Sequence, residues 1–300
     1  GTAAAIGTAF QRLGKEEIRT LAMTAATVGI LASVVIGMLM IKWATRKGHT
    51  SFLSDFSELP HELRTGLLPE GKKESMGESS CSSISIDGLA FNLAVICLVA
   101  FGGYLISKGV NMLVPTLEMP VFSCAFIFGI LAKFVMDKAD VTKYVSKQSV
   151  SHLSGTFTDF LVAFGIASIK LSVVLDYIVP LSILLVCGLL ATLLYVFWMG
   201  KRMFKGNGWF EKAVFTWGWY TGTMAMGIAL LRVVDHEMKS RCLDDYALAY
   251  LFIAPVEIAL ITFAPVAFVN GYGVHFLSIV LVAILIILGV AGAKGWLKKR

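Results

Sequence analysis

Seven runs of mostly apolar residues, each about the length that crosses a bilayer, are what most restrict this chain. They cover residues 18–43, 89–107, 119–136, 149–175, 180–199, 246–269 and 274–293. A helix rises about 1.5 Å per residue, so ~20 apolar residues span the hydrocarbon core. The expected fold class is therefore an all-α integral membrane protein with many spans. Composition agrees: hydrophobic residues make up 57%, charged residues only 15%, and the mean hydropathy is +0.77. A soluble domain carries roughly a quarter charged residues.

The net charge of +6 gives no sign of nucleic-acid binding, because Lys and Arg gather at the ends of the apolar runs, where they orient helices. With the first run directed from outside to inside, the inner segments hold Lys42, Arg46 and Lys47, then Lys133, Lys138, Lys143 and Lys147. They also hold the Lys201–Lys212 group, Arg232, Lys239, Arg241 and the basic tail from Lys294. Arg12, Lys15, Arg19, Lys108 and Lys170 stay outside. The reverse orientation would violate the positive-inside rule. The C-terminus is thus expected in the cytoplasm, and the location is a multi-pass protein of the cell's inner (plasma) membrane.

One long linker divides the chain. Residues 45–88 begin with a mixed apolar and charged stretch and continue as a Ser-, Gly- and charge-rich one, a composition that disfavours a packed core. The expected organisation is 1–44, the end of an N-terminal half; 45–88, a cytoplasmic linker; 89–270, a C-terminal half of five spans plus an inserted segment; and 271–300, an extra terminal span with a basic cytoplasmic tail.

The inserted segment lies near residues 215–231, FTWGWYTGTMAMGIALL, between the fifth and sixth runs, whose facing ends are both inside. It is too apolar for a cytoplasmic loop. A re-entrant element, broken at membrane depth, is tolerated where it is buried in protein or lines a cavity. Gly218, Gly222 and Gly227 permit close backbone approach. The freed N–H groups of a half-helix suit an anion, while unwound carbonyls and the hydroxyls of Thr221 and Thr223 suit a cation such as sodium. The alternative is a short extra helix packed by small residues. The chain opens on a related run, Gly1-Thr2-Ala3, and five spans separate the two. An odd number puts their entries on opposite faces, and paired Gly-interrupted segments in two inverted halves point to a transporter binding site.

Ionisable residues inside spans are the second class of candidate. Asp159 falls near mid-depth of the fourth run, next to Thr156 and Thr158. It reads either as an ion or substrate contact or as a structural carboxylate. Glu257 lies in the sixth run between Pro255 and Pro265; proline frees a carbonyl and kinks a helix, so a cation or proton site is expected there unless the side chain faces lipid. The five cysteines and five histidines form no metal-ligand spacing. No hydrolase or nucleotide motif is present, so the chain is not expected to be an enzyme.

These residues together resemble the bacterial sodium/glutamate symporter family. The opening GTAAAIGTAF is similar to the end of that family's first Gly-rich signature, EMPVFSCAFIFGILAK to its Glu-Leu-Pro-x-Phe span, and AVFTWGWYTGTMAMGIALL to its second signature. The Ser154–Leu171 stretch and the Pro255 span follow in order, so the resemblance runs over about residues 1–270. Departures are Tyr220 where the family tends to carry Gly, Met224-Ala225 for Thr-Pro, and Leu230 for Asn.

The resemblance implies inverted repeats, two re-entrant loops and sodium-coupled uptake of glutamate, with about four helices expected ahead of Gly1. The substrate- and ion-binding set is then Gly1, Thr2, Thr156, Asp159, Gly218, Thr221, Gly222, Thr223 and Glu257. Partners are a glutamate-like anion, sodium, the bilayer and a second copy in a homodimer; no cofactor beyond the coupling ion is expected. Two other readings stay open: a proton-coupled carrier of another organic anion, and a non-transporting receptor or scaffold of the same fold.

Overall fold

The computed structural model describes residues 2–53, 86–113, 119–204 and 208–295. Gly1, most of the linker and the last basic residues lie outside the described residues. Among the described residues, eleven α-helices follow in order: α1 (Thr2–Arg12), α2 (Glu16–Arg46), α3 (Gly88–Leu113), α4 (Val121–Lys138), α5 (Lys147–Ala167), α6 (Leu171–Asp176), α7 (Ile178–Met203), α8 (Trp209–Thr221), α9 (Met224–Val234), α10 (Cys242–Val269) and α11 (Gly273–Ala293). No strand occurs among the described residues.

Six helices, α2, α3, α5, α7, α10 and α11, are long and apolar enough to cross a membrane. The expected third span became α4, 18 residues long, and it carries Lys133, Asp137 and Lys138. Its charges explain why it falls outside the six. The expected fourth span is shorter than its apolar run: α5 ends at Ala167, and Lys170 caps the separate α6. The Lys170 ammonium meets Glu16 of α2 at 3.5 Å.

Side chains sort as they do in lipid. Leu and Ile all round α11 are exposed, including Ile279 and Ile287 at 69% and 66%. That is the behaviour of a helix whose outer faces have only acyl chains to meet. Its packing partner is α10. The buried core lies elsewhere, where Met40, Ile41 and Ala44 of α2 meet Val196 of α7, Phe210, Val214 and Trp217 of α8, and Leu231 and Val234 of α9.

The core is centred on α2. At 31 residues it is about 46 Å long, longer than the ~30 Å hydrocarbon core. It packs against α1, α5, α6, α7, α8 and α9. By contrast α3 and α4 form a pair that joins the rest through α5. The α2 seam bears small residues four apart, Gly29, Ser33 and Gly37, all buried. Such stripes let backbones approach in a membrane, where apolar burial cannot drive helices together.

Helices α8 and α9 have 13 and 11 residues, about 20 and 16 Å, so neither crosses the membrane alone. They lie side by side: a Cβ on Gly218 would come within 2.7 Å of the Gly227 Cα, and one on Gly227 within 2.8 Å of the Phe215 carbonyl oxygen. The pair is an antiparallel helical hairpin, turning at Gly222.

The α2–α8 contact is equally close, since a Cβ on Gly29 would meet the Thr221 carbonyl oxygen at 2.2 Å. Gly29→Ala is expected to cost about 1–3 kcal/mol through overpacking and to lower the melting midpoint in detergent. Gly289→Ala, on the open face of α11 where nothing lies within 4 Å, should leave the midpoint in place; equal losses in both variants would remove the α2–α8 seam as the stabilising contact.

Candidate functional site

The chain breaks at Gly222 because the residues around it end one helix and start another. The Gly222 amide still bonds the Gly218 carbonyl at 3.0 Å, closing α8. Thr223 is extended and its hydroxyl accepts the Met226 amide at 3.3 Å, an N-cap for α9. The Thr221 hydroxyl donates back to the Trp217 carbonyl at 2.7 Å. Both hydroxyls that the sequence offered as ligands thus have local partners, though each oxygen keeps a free lone pair. The N-terminus of α9 opens at this break, with unpaired amides and the positive end of its dipole.

Helix α2 supports the break from below. The indole Nε1 of Trp217, fully buried, donates to the Ser33 carbonyl at 3.2 Å. The Ser33 hydroxyl lies 2.8 Å from where a Gly222 Cβ would stand. A side chain at position 222 would therefore push the turn off α2.

A second polar group forms on α10. Glu257 accepts from the Thr2 hydroxyl of α1 at 3.2 Å and from the Tyr250 hydroxyl at 3.0 Å. Tyr250 stacks on Tyr246 with ring centroids 5.3 Å apart, and both rings stand edge-on to Trp219 of α8, at 6.0 and 4.7 Å. Glu257 is half-buried inside the bundle, with these partners on one side. Pro255 keeps α10 helical but removes one amide donor. The row Thr2, Glu257, Tyr250, Trp219 connects α1 to the hairpin.

The structure therefore brings together Thr2 with Glu257, and Gly218, Thr221, Gly222 and Thr223 with one another. It does not bring Thr156 and Asp159 to either group. Both are exposed on α5; the Thr156 hydroxyl donates to the His152 carbonyl, and Asp159 has no ion pair or hydrogen bond among the described residues. The nearest cavity, about 260 Å³, touches α5 at Leu161 and is otherwise walled by α1 and α4, with Thr8 and Arg12 at its rim. A second cavity of about 200 Å³ lies between α7, α8 and α10, lined by Tyr195, Trp219, Tyr220 and Tyr246, with the Lys212–Asp245 ion pair at one end.

The residues that sequence reasoning missed are Gly29 and Ser33 on α2, and Trp219, Tyr246 and Tyr250. The first two had a signal, the four-residue spacing of small residues with Gly37. The aromatic set had none, because its members come together only when α10 lies against α8.

Two elements repeat. A Gly-Thr pair, an 11-residue helix, a short turn and a long helix occur as Gly1-Thr2, α1 and α2, and again as Gly222-Thr223, α9 and α10. Helix α1 packs chiefly on α2 and also touches α10; α9 packs chiefly on α8 and also touches α2.

A comparison with protein families matches residues 1–239 to the sodium/glutamate symporter family model. No curated protein and no solved structure matches the chain. The matched region takes in α1 through α9 and the loop beyond, and stops before α10, so Glu257 and the Pro255 span lie past it, short of the reach to residue 270 that the sequence led one to expect. Four-fifths of the chain is covered, including the hairpin and the α2 helix that holds it. With its apolar spans and broken hairpin, the chain belongs to the sodium/glutamate symporter family.

Proposed function

We propose that this protein moves glutamate, or a closely related amino-acid anion, into the cell with sodium, using the break at Gly222 as its central site. The observation that carries this reading is the helical hairpin inside a bundle of apolar spans. A hairpin of two half-length helices is pressed on α2 through Gly29 and Ser33, so protein covers one side of its broken backbone. The opening of α9 offers amide donors for a substrate carboxylate. The carbonyls around Thr221 and Gly222 offer oxygen for sodium. No covalent step is needed: ion and substrate fill one site, and the bundle exposes it to each face in turn.

The contacts of α1 with α10 and of α9 with α2 support two inverted repeats, with Gly1-Thr2 and Gly222-Thr223 as corresponding hinges. In this reading the protein lies in the plasma membrane with its C-terminus in the cytoplasm, following the distribution of Lys and Arg. The whole site is Thr2, Gly218, Thr221, Gly222, Thr223 and Glu257, with Gly1 at the matching hinge. Thr156 and Asp159, exposed on α5, are left outside this site. A homodimer is the expected assembly.

A proton-coupled carrier is the second reading, and Glu257 favours it, as a carboxyl bonded by two hydroxyls between α1 and α10. The two are separated in liposomes holding the full-length protein. An inward sodium gradient should drive labelled glutamate uptake, and removing sodium should abolish it. Uptake that persists without sodium and follows a proton gradient, with Glu257→Gln erasing its pH dependence, would establish the carrier reading in its place. Binding of glutamate with no flux under either gradient would leave a receptor.

Thr223→Ala removes the cap of α9, a loss of about 1 kcal/mol of local stability. It is expected to raise the KM for substrate several-fold with the protein still folded. An unchanged KM would take the opening of α9 out of the site.

A further inference from the structure

The foot of the α8–α9 hairpin holds a buried acid that the transport site does not use. Glu211, in the first turn of α8, is fully buried. Its Oε1 accepts the Ser51 amide at 2.6 Å, and the Phe52 amide faces the same carboxyl. The Ser51 hydroxyl accepts the Gly208 amide at 2.8 Å. Gly208 stands just before α8 at φ 100°, backbone that favours glycine. In a capping box, two residues of one helix exchange such bonds. Here Ser51, from the strap of residues 50–53 that follows α2, supplies the cap of α8 from outside. Leu53 anchors the strap at 3% exposure.

The other oxygen, Glu211 Oε2, is buried without a hydrogen-bond partner among the described residues. A second carboxylate lies close enough for its charge to act on Glu211: Asp235, 1% exposed, which accepts the amides of Lys239 and Ser240 at 2.9 and 2.8 Å. Two neighbouring cations among the described residues are engaged elsewhere. Lys212 of α8 pairs with Asp245 of α10 at 2.5 Å, and Lys239 pairs with Glu237. His49, at the root of the strap, packs edge-on to the Trp209 ring at 5.7 Å. Cys242 of α10, a buried thiol, completes the titratable groups around the foot.

Two ionised carboxylates in one dry place are costly, because neither charge is solvated. A neutral Glu211 avoids this cost. Its carbonyl oxygen still accepts the Ser51 amide, and its hydroxyl gives Oε2 a proton to donate. We propose that Glu211 is a proton-binding switch: protonated, it lets the strap seat and cap α8; ionised, it releases the strap from the foot of the hairpin. The proposal holds whatever solute the protein carries.

Burial pushes the Glu211 carboxyl above the usual carboxylate range, against the pull of the strap amides and with Asp235 adding to the rise. A carboxyl raised by folding holds its proton more tightly in the seated state. Its contribution is complete below the ordinary value of 4.5 and is lost as pH climbs through the raised one. Because the strap leads into the linker between the halves, proton binding at the foot would set how freely the hairpin moves against the other half.

The test is amide hydrogen exchange of the full-length protein in lipid nanodiscs, corrected for intrinsic exchange, together with an infrared titration of protonated carboxyl groups. Strap protection should fall by about tenfold or more between a pH near the ordinary carboxyl value of 4.5 and an alkaline pH, with a carboxylic-acid carbonyl band fading over the same range. E211Q, which mimics the neutral acid, should keep the strap protected at both pH values and lack that band. Equal protection at both pH values in the wild type, or a parallel loss in E211Q, would overturn the switch. Should E211Q fail to fold, the wild-type curves decide alone: protection and carbonyl band must titrate together, and separate midpoints reject the proposal.

Discussion

Everything in this structure follows from where a broken backbone can be kept out of lipid. At Gly222 the helix stops and restarts, leaving amides and carbonyls without intrahelical partners. In hydrocarbon each such group costs several kcal/mol. The fold meets this by placing the break on the small-residue seam of α2, where Gly29 and Ser33 let the turn approach to contact distance and Trp217 ties α8 to the Ser33 carbonyl. A membrane bundle has no hydrophobic force to hold helices together, so close packing and a few interhelical hydrogen bonds must do it. That is why the buried core concentrates around α2, α8 and α9 while α11 remains almost bare.

The same constraint makes the break useful. In the proposed reading, the half-helix that begins at this turn offers its unpaired amides to an anion. The requirements of stability and of recognition meet at one turn. The α2 seam has to be rigid for the break to be tolerated. The hairpin has to move relative to the other half for transport to occur. Each short helix also touches a long helix distant in the chain, α1 meeting α10 and α9 meeting α2.

The switch proposed at the foot of the hairpin would be a second kind of control. The cap of α8 comes from a strap outside the helix, so the hairpin's lower end is held by a contact that can be lost without unfolding a span. Glu211 and Asp235 place carboxylates there with their nearby cations already paired. A carboxyl in such surroundings responds to protons more than to salt, because burial rather than a surface partner sets its charge.

The sequence by itself determined that the chain lies in a membrane and that residues 215–231 break. Length, hydropathy, the bias of Lys and Arg, and three glycines are local properties that survive without tertiary contacts. Thr2, Gly222 and Glu257 were legible for the same reason: a glycine or a charge in an apolar run is conspicuous wherever the run ends up. Only the tertiary structure decided which of them meet. Thr2 reaches Glu257 because α1 lies on α10, while Asp159, as conspicuous in the sequence, stays on an exposed face of α5. Glu211 was invisible as a special residue, since an acid at the start of a helix is ordinary. Its character comes from burial beneath a strap more than 150 residues away in the chain, and distant burial cannot be read from local composition.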